Sequence, residues 1–139
     1  MKSALILYGE MGCGKTYRGK MRARDWGATF FDGDDVIPPA MLERVKQFKP
    51  LSKEMLDDYI HNHLAPAIIQ QGDDVIVAQA LYMQEHRGFL ESYLEQRGYR
   101  VQFEHVGCSF KRNVKQLWSR PNGFRWVLYW LMNKPFFQD

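Results

Sequence analysis

The chain has 139 residues, of which 45% are apolar, 14% aromatic and 25% charged, with a formal net charge of +3. This composition supports one packed domain and excludes a disordered, collagen-like or coiled-coil chain as the dominant state. The charge is uneven: residues 1–99 hold 12 basic and 14 acidic side chains, residues 100–139 hold 7 basic and 2 acidic. A basic C-terminal stretch suits a nucleic acid, a phosphate-rich small ligand or simply a solvated face. The apolar run Trp126–Met132 is far short of the roughly 20 residues of a membrane span. The run Ala4–Tyr8 is too short for a signal peptide. No membrane partner is expected. Cys13 and Cys108 make neither a disulfide framework nor a metal set, so the expected setting is reducing and cytoplasmic.

In chain order, Ala4–Tyr8 reads as a buried strand and Thr16–Trp26 as a helix weakened by Gly19. Ala28–Phe31 reads as a second strand, ended by Asp32-Gly33-Asp34-Asp35 and Pro38-Pro39. Ser52 is an N-cap for a helix running to about Gln71, with Glu54 in its first turn and Pro66 expected to kink or break it. Asp74–Ala78 is a third strand with a β-branched centre. A helix over Gln84–Gln96 closes at Gly98. Tyr99–Val106 is a fourth strand and Ser109–Ser119 a helix. A loop at Arg120-Pro121-Asn122-Gly123 leads to a last helical stretch at about Phe124–Met132. Strands separated by helices need right-handed crossovers. The expected fold is therefore α/β, a three-layer α/β/α domain of the P-loop NTPase type. Its parallel sheet has about four strands, and its ligands sit beyond their C-terminal ends.

Gly9-Glu10-Met11-Gly12-Cys13-Gly14-Lys15-Thr16 is a complete G-x-x-x-x-G-K-[ST] phosphate loop between a strand and a helix. Its glycines let successive backbone N–H groups of Gly9, Met11, Gly12, Cys13 and Gly14 face one anion, and the helix that follows adds the positive end of its dipole. Lys15 is expected at the β- and γ-phosphates of ATP, and the Thr16 hydroxyl on Mg²⁺. Cys13 reads as a small filler of the loop in preference to a redox control point. The second cluster is Asp32-Gly33-Asp34-Asp35. Carboxylates at i and i+2 beside a phosphate loop suit a magnesium shell and a base for an attacking hydroxyl. In isolation they would read as an ordinary turn.

Together these residues resemble the small-metabolite kinases of the gluconate kinase and shikimate kinase group. Phe30-Phe31-Asp32-Gly33-Asp34-Asp35 is much like the F-x-D-G-D-D of gluconate kinases. Pro38-Pro39, Pro50-Leu51-Ser52, Ala80-Leu81 with Arg87, and Lys111–Arg120 with Arg120-Pro121-Asn122-Gly123 follow the family's later segments over roughly residues 3–125. The resemblance implies transfer of the ATP γ-phosphoryl to a hydroxyl of a small molecule. It assigns Lys15, Asp34 and Arg120 to catalysis, Lys15, Thr16 and Arg120 to the nucleotide, and Thr16 and Asp32 to the metal. Asp34 would meet the acceptor hydroxyl, and Arg125 is a second candidate for the role of Arg120.

Three departures mark the sequence. The arginine that relatives carry after P-L-T is replaced by the stretch Lys53–Asp58, leaving Arg44 or Lys46 as substitutes. Gln79 and Tyr82 stand where the family has the serine and lysine of S-A-L-K. Relatives continue into a fifth strand and a final helix, whereas Phe124–Phe137 is rich in aromatics. That tail is expected to be a shortened lid, to fold back over the sheet, or to pair with another chain, which makes a homodimer an option. The single domain would span residues 1–139, with a lid-like segment at about 119–125 and an aromatic helical tail at about 124–139.

Other residues are weighed on their own chemistry. His61 and His63, at i and i+2, lack the spacing of a helical metal site and read as solvated or partly buried. Arg87 is either a ligand for substrate or phosphate or a surface arginine of an amphipathic helix. Trp126, Tyr129 and Trp130 have the spacing of one buried helix face, with self-association or base stacking as alternatives. A nucleotide or polynucleotide kinase and a non-catalytic ATP-binding module remain the competing functional readings.

Overall fold

The computed structural model describes residues 2–138. Four strands, β1 (Lys2–Tyr8), β2 (Thr29–Asp32), β3 (Asp74–Ala78) and β4 (Tyr99–His105), form one parallel sheet in the order β2-β3-β1-β4. The expected architecture and strand count are those observed. The central strands β1 and β3 show the period-two division of a sheet covered on both sides, while edge strand β4 leaves Arg100 and Gln102 exposed on its second face. Ala4, Ile6, Phe31, Val75 and Val77 face one core with Met41, Tyr59, Leu64, Ile68, Leu90 and Leu94. Leu5, Leu7 and Ile76 face the other, with Ala23 and Val106. Each fully buried aliphatic side chain contributes about 1.5–3 kcal/mol, so the central β1, sealed on both faces, anchors the loop that follows it.

α1 (Lys15–Trp26) packs on the second face. α2 (Pro39–Lys46), α3 (Lys53–Asp58), α4 (Ala65–Ile69) and α5 (Gln84–Glu95) cover the first. The sequence did not announce α2, because Pro38-Pro39 reads as a strand stop. Pro39 instead opens the helix, where its fixed φ is suitable and its missing N–H costs nothing. Ser52 caps α3, accepting from the Met55 amide at 3.2 Å, as expected. Of the kink or break expected at Pro66, the break is absent: α3 runs through a π-helical stretch, Tyr59–Leu64, into α4 with helical backbone angles at the junctions. The shift of hydrogen-bond register falls in the turn ahead of Pro66, where its ring would otherwise meet a carbonyl.

α6 (Phe110–Trp118) and α7 (Gly123–Asn133) form an antiparallel pair, and a 3-10 turn follows at Lys134–Phe136. Of the segment 119–125, residues 119–122 make a tight corner between them and 123–125 open α7. A side chain at Gly123 would sit 2.0 Å from the Trp118 carbonyl oxygen, so only glycine fits there. Tyr129 and Trp130 are buried and Trp126 half-buried, while Phe124, Leu128, Leu131 and Met132 are exposed on the outer side of α7. The tail then folds back. The Phe137 ring stacks on His105 and Tyr8 at 5.3 and 6.3 Å, over the ends of β4 and β1. The Gln138 amide donates to the Tyr82 carbonyl at 2.7 Å. Among the described residues no helix is long and apolar enough to cross a membrane.

Candidate active site

Sheet register brings the chemistry to one level. Leu7 and Asp32 both pair with Ala78, so the loop after β1, the turn after β2 and the segment after β3 leave the sheet side by side. Gly12 and Gly14 take left-handed backbone angles, φ 82° and 83°, which curl residues 9–14 into a loop ending at the start of α1. At Gly12 even a methyl group would sit 2.4 Å from Asn113 Oδ1 and 2.9 Å from Leu117, so α6 seats the loop from behind. Thr16 is exposed in the first turn of α1. Lys15 Nζ donates to the carbonyls of Gly9 and Glu10 at 2.9 and 2.8 Å. Loss of solvent holds this ammonium down to about 8, against the partly opposing charges of Asp34 and Asp32; Arg120 adds to the depression. Lys15, Asp32, Asp34 and Arg120 therefore share one electrostatic neighbourhood.

The turn after β2 is built by its own carboxylate: Asp32 Oδ1 accepts from the Asp34 amide at 2.9 Å and caps a 3-10 turn over Gly33–Val36. Asp34 Oδ1 accepts from Gln79 Nε2 at 3.2 Å. Displacement of water, then the Asp32 charge, raise the Asp34 carboxyl above its ordinary range, while the Gln79 hydrogen bond and Lys15 oppose the rise. The side chain keeps an open side to solvent. Tyr59, from the π-helical stretch, donates to the Gly33 carbonyl at 2.6 Å and also meets the Gln79 amide. Sequence reasoning singled out Gln79 only as a departure and missed Tyr59. A tyrosine in mid-helix carries no sign of the turn it supports.

The remaining expected residues divide. Arg120 lies in the corner between α6 and α7, with its guanidinium 5.4 Å from the Trp126 ring centroid. Arg125 is set over the Phe48 ring at 5.8 Å. Arg44, expected at the acceptor, donates through Nε and Nη2 to the Pro50 carbonyl at 2.9 and 2.7 Å and so closes the loop after α2. Arg87 is not the surface arginine of one of its two readings. It is buried, with Nη1 donating to the Leu81 carbonyl at 2.6 Å, Nη2 to the Gln138 carbonyl, and its charge 4.4 Å from the Tyr8 ring centroid. It holds the returning tail. His61 stacks on Phe89 at 3.9 Å. His86, buried in α5, meets Asp57 at 2.7 Å.

Glu10 was unremarked in the sequence, although a charge inside a phosphate loop is itself a signal. It accepts from Trp130 Nε1 and faces Lys134 at 3.3 Å, tying α7 to the loop. A cleft of about 110 Å³ lies there, lined by Glu10, Cys13, His105, Cys108, Trp130 and Phe137 among others. A roomier cleft of about 250 Å³ sits at the opposite end of the strands, beside Ser3, Trp26 and Arg100. It contains none of the loop residues and lies at the wrong end of a parallel sheet for a ligand of this fold.

No protein-family model matches the chain. A probable gluconokinase of Schizosaccharomyces pombe is 25% identical over 127 residues, covering 88% of this chain and 66% of that protein, so the chain spans just under two thirds of that relative's length. A gluconokinase from Sinorhizobium meliloti 1021 superposes with a TM-score of 0.80 at 16% identity, covering 99% of this chain and 76% of that one. An unliganded sugar kinase from Janibacter sp. HTCC2649 superposes with a TM-score of 0.79 at 18% identity, covering 100% and 79%. The parallel sheet, its phosphate loop and these likenesses together show that the chain has the α/β fold of the P-loop small-metabolite kinases, with a probable gluconokinase similar to it in sequence.

Proposed function

We propose that this chain is an ATP-dependent phosphotransferase that moves the γ-phosphoryl of Mg-ATP to a hydroxyl of a small polyhydroxylated metabolite. The observation that carries the reading is the pairing of a solvent-open Asp34, held by Gln79, with Lys15 of the phosphate loop in one electrostatic neighbourhood. The similarity to a probable gluconokinase supports it.

The residues present fit Mg-ATP. The loop is too tight at Gly12 for any side chain and curls through left-handed Gly12 and Gly14, a backbone form that suits a polyphosphate. Lys15 and Arg120 supply positive charge, and Thr16 and Asp32 supply the hard oxygens that magnesium prefers. When bound, Mg-ATP supplies the phosphoryl group. The chain's own part is to position and to neutralise. Asp34 orients the acceptor hydroxyl and takes its proton at a carboxylate oxygen, which its raised basicity favours. Lys15 exchanges its loop carbonyls for phosphate oxygens. Arg120 stands by for charge on the group in transit. Arg18 and Arg22, two of the five basic residues on α1, are ion-paired with Glu104 at 3.1 and 2.8 Å, which speaks against a polynucleotide track there.

The test is coupled measurement of ADP release with Mg-ATP and a panel of sugar acids and polyols, for the wild type and Asp34→Asn. The expected result is an acceptor-dependent rate that falls by about 10²–10⁴-fold in the variant, with the thermal shift on Mg-ATP retained. An unchanged rate in Asp34→Asn would remove that residue from the chemistry. Nucleotide binding without turnover on any acceptor would favour a non-catalytic module instead.

A further inference from the structure

The two cysteines of this chain lie 95 residues apart in sequence and meet in space. Cys13 sits in the phosphate loop and Cys108 in the loop after β4, with their sulfur atoms 2.8 Å apart and both thiols free. β1 and β4 are adjacent and parallel, with Tyr8 opposite His105, so these loops leave the sheet as neighbours. Both sulfurs line the cleft beside Glu10 and Trp130 and are half-buried, so a small oxidant reaches them. A disulfide requires an S–S distance of about 2.0 Å, hence an approach of less than 1 Å, which loops at strand ends absorb. Composition alone makes Cys13 a filler of its loop; the tertiary pairing gives it a second role.

We propose that Cys13 and Cys108 form an oxidative modification site, a dithiol that a hydroperoxide converts to an intramolecular disulfide across the phosphate loop. The Cys108 thiolate attacks the distal peroxide oxygen, forming a sulfenic acid and releasing the alcohol, or water when the oxidant is hydrogen peroxide. Cys13 sulfur then displaces hydroxide from that sulfenic acid, and its proton leaves with the hydroxide as water. The two sulfurs are oxidised by two electrons in total, and one peroxide is reduced. This order follows from the surroundings: burial and the adjoining Cys108 thiol push the Cys13 thiol up to about 12, so it is the poorer first nucleophile.

The cross-link has a consequence for the loop. In this conformation Lys15 donates to the loop's own carbonyls at Gly9 and Glu10. Phosphate binding requires it to let go and the loop to adjust around the anion. A bond from Cys13 to the loop after β4 holds the present conformation and so opposes the nucleotide. This consequence rests on the nucleotide-binding reading above; the modification itself does not.

The experiment uses the full chain, reduced and then treated with hydrogen peroxide, alongside Cys108→Ser. Intact mass and non-reducing peptide mapping report the cross-link, and thermal unfolding with and without Mg-ATP reports binding. Expected are a loss of two hydrogens, a Cys13–Cys108 peptide, and apparent nucleotide affinity weakened by about tenfold or more, all reversed by dithiothreitol. Cys108→Ser should keep its nucleotide shift before and after peroxide and form no cross-link within the chain. Absence of the cross-link, or cross-links only between chains, overturns the proposal. A cross-link that leaves nucleotide affinity unchanged overturns its effect on binding. If the reduced wild type shows no Mg-ATP shift, the nucleotide reading fails by itself, and the mass measurement still decides the modification.

Discussion

The side-chain amide of Gln79 donates to Asp34 Oδ1 at 3.2 Å, linking the segment after β3 to the turn after β2. The same amide meets the Tyr59 hydroxyl, and Tyr59 in turn donates to the Gly33 carbonyl. A side chain at Gly33 would lie 2.6 Å from Gln79 Nε2, so the contact exists only because glycine occupies that position. The Asp34 carboxylate is thus held by a short chain of neutral donors.

Gln79→Leu should raise the Asp34 carboxyl further, because its hydrogen bond is one of two influences that lower it. A base works in its ionised form, so the acidic limb of kcat/KM against pH should move to higher pH, while the alkaline limb stays. The expected loss of rate at pH 6 is roughly tenfold. A superimposable pH profile would show that Gln79 does not act through Asp34.

Tyr59→Phe leaves the buried Gly33 carbonyl without its hydroxyl donor. The cost should be about 1–3 kcal/mol, read from urea unfolding midpoints at constant slope. Stability equal to wild type would mean that water replaces the hydroxyl.

For Lys15 the sign of the pH effect is set by a lowered value. Its ammonium titrates at about 8 in the folded chain against 10.5 ordinarily. Between those values the unfolded chain holds the proton and the folded chain does not, so this group makes stability rise with pH across that window, by at most about 1.4 kcal/mol per pH unit. Below about pH 8 both states are protonated and the contribution is constant. Lys15→Met should remove this slope from the difference between the two proteins' urea curves at pH 8 and pH 10, and should abolish the thermal shift on Mg-ATP. Parallel curves would place the ammonium in solvent.

Arg87→Met should cost roughly 1.5–3 kcal/mol, since it leaves the Leu81 and Gln138 carbonyls without a charged donor and removes the cation from the Tyr8 ring. Protease digestion should then release the tail beyond Asn133 faster than in the wild type. Native stability with a raised KM for the acceptor would instead make Arg87 a substrate ligand.

Much of this protein is determined locally. The strand-loop-helix order around Gly9–Thr16 specifies a phosphate loop because left-handed glycines, an inward lysine and a helix start are properties of adjacent residues. The unbroken apolar runs Val75-Ile76-Val77 and Leu5-Ile6-Leu7 likewise specify strands buried on both faces, and crossovers between such strands impose a parallel sheet. The Asp32–Asp35 turn is local too, since Asp32 caps it. What tertiary structure decided are contacts between residues distant in sequence, which leave no periodicity to read. Tyr59 supports Gly33 across 26 residues and Gln79 holds Asp34 across 45. Arg87, ambiguous as a helix residue, is committed by a tail that returns over 51 residues, and Cys13 meets Cys108 only because β1 and β4 are neighbours in the sheet. Local sequence sets backbone conformation and burial pattern; the order of strands, fixed by the whole core, sets which side chains share a site.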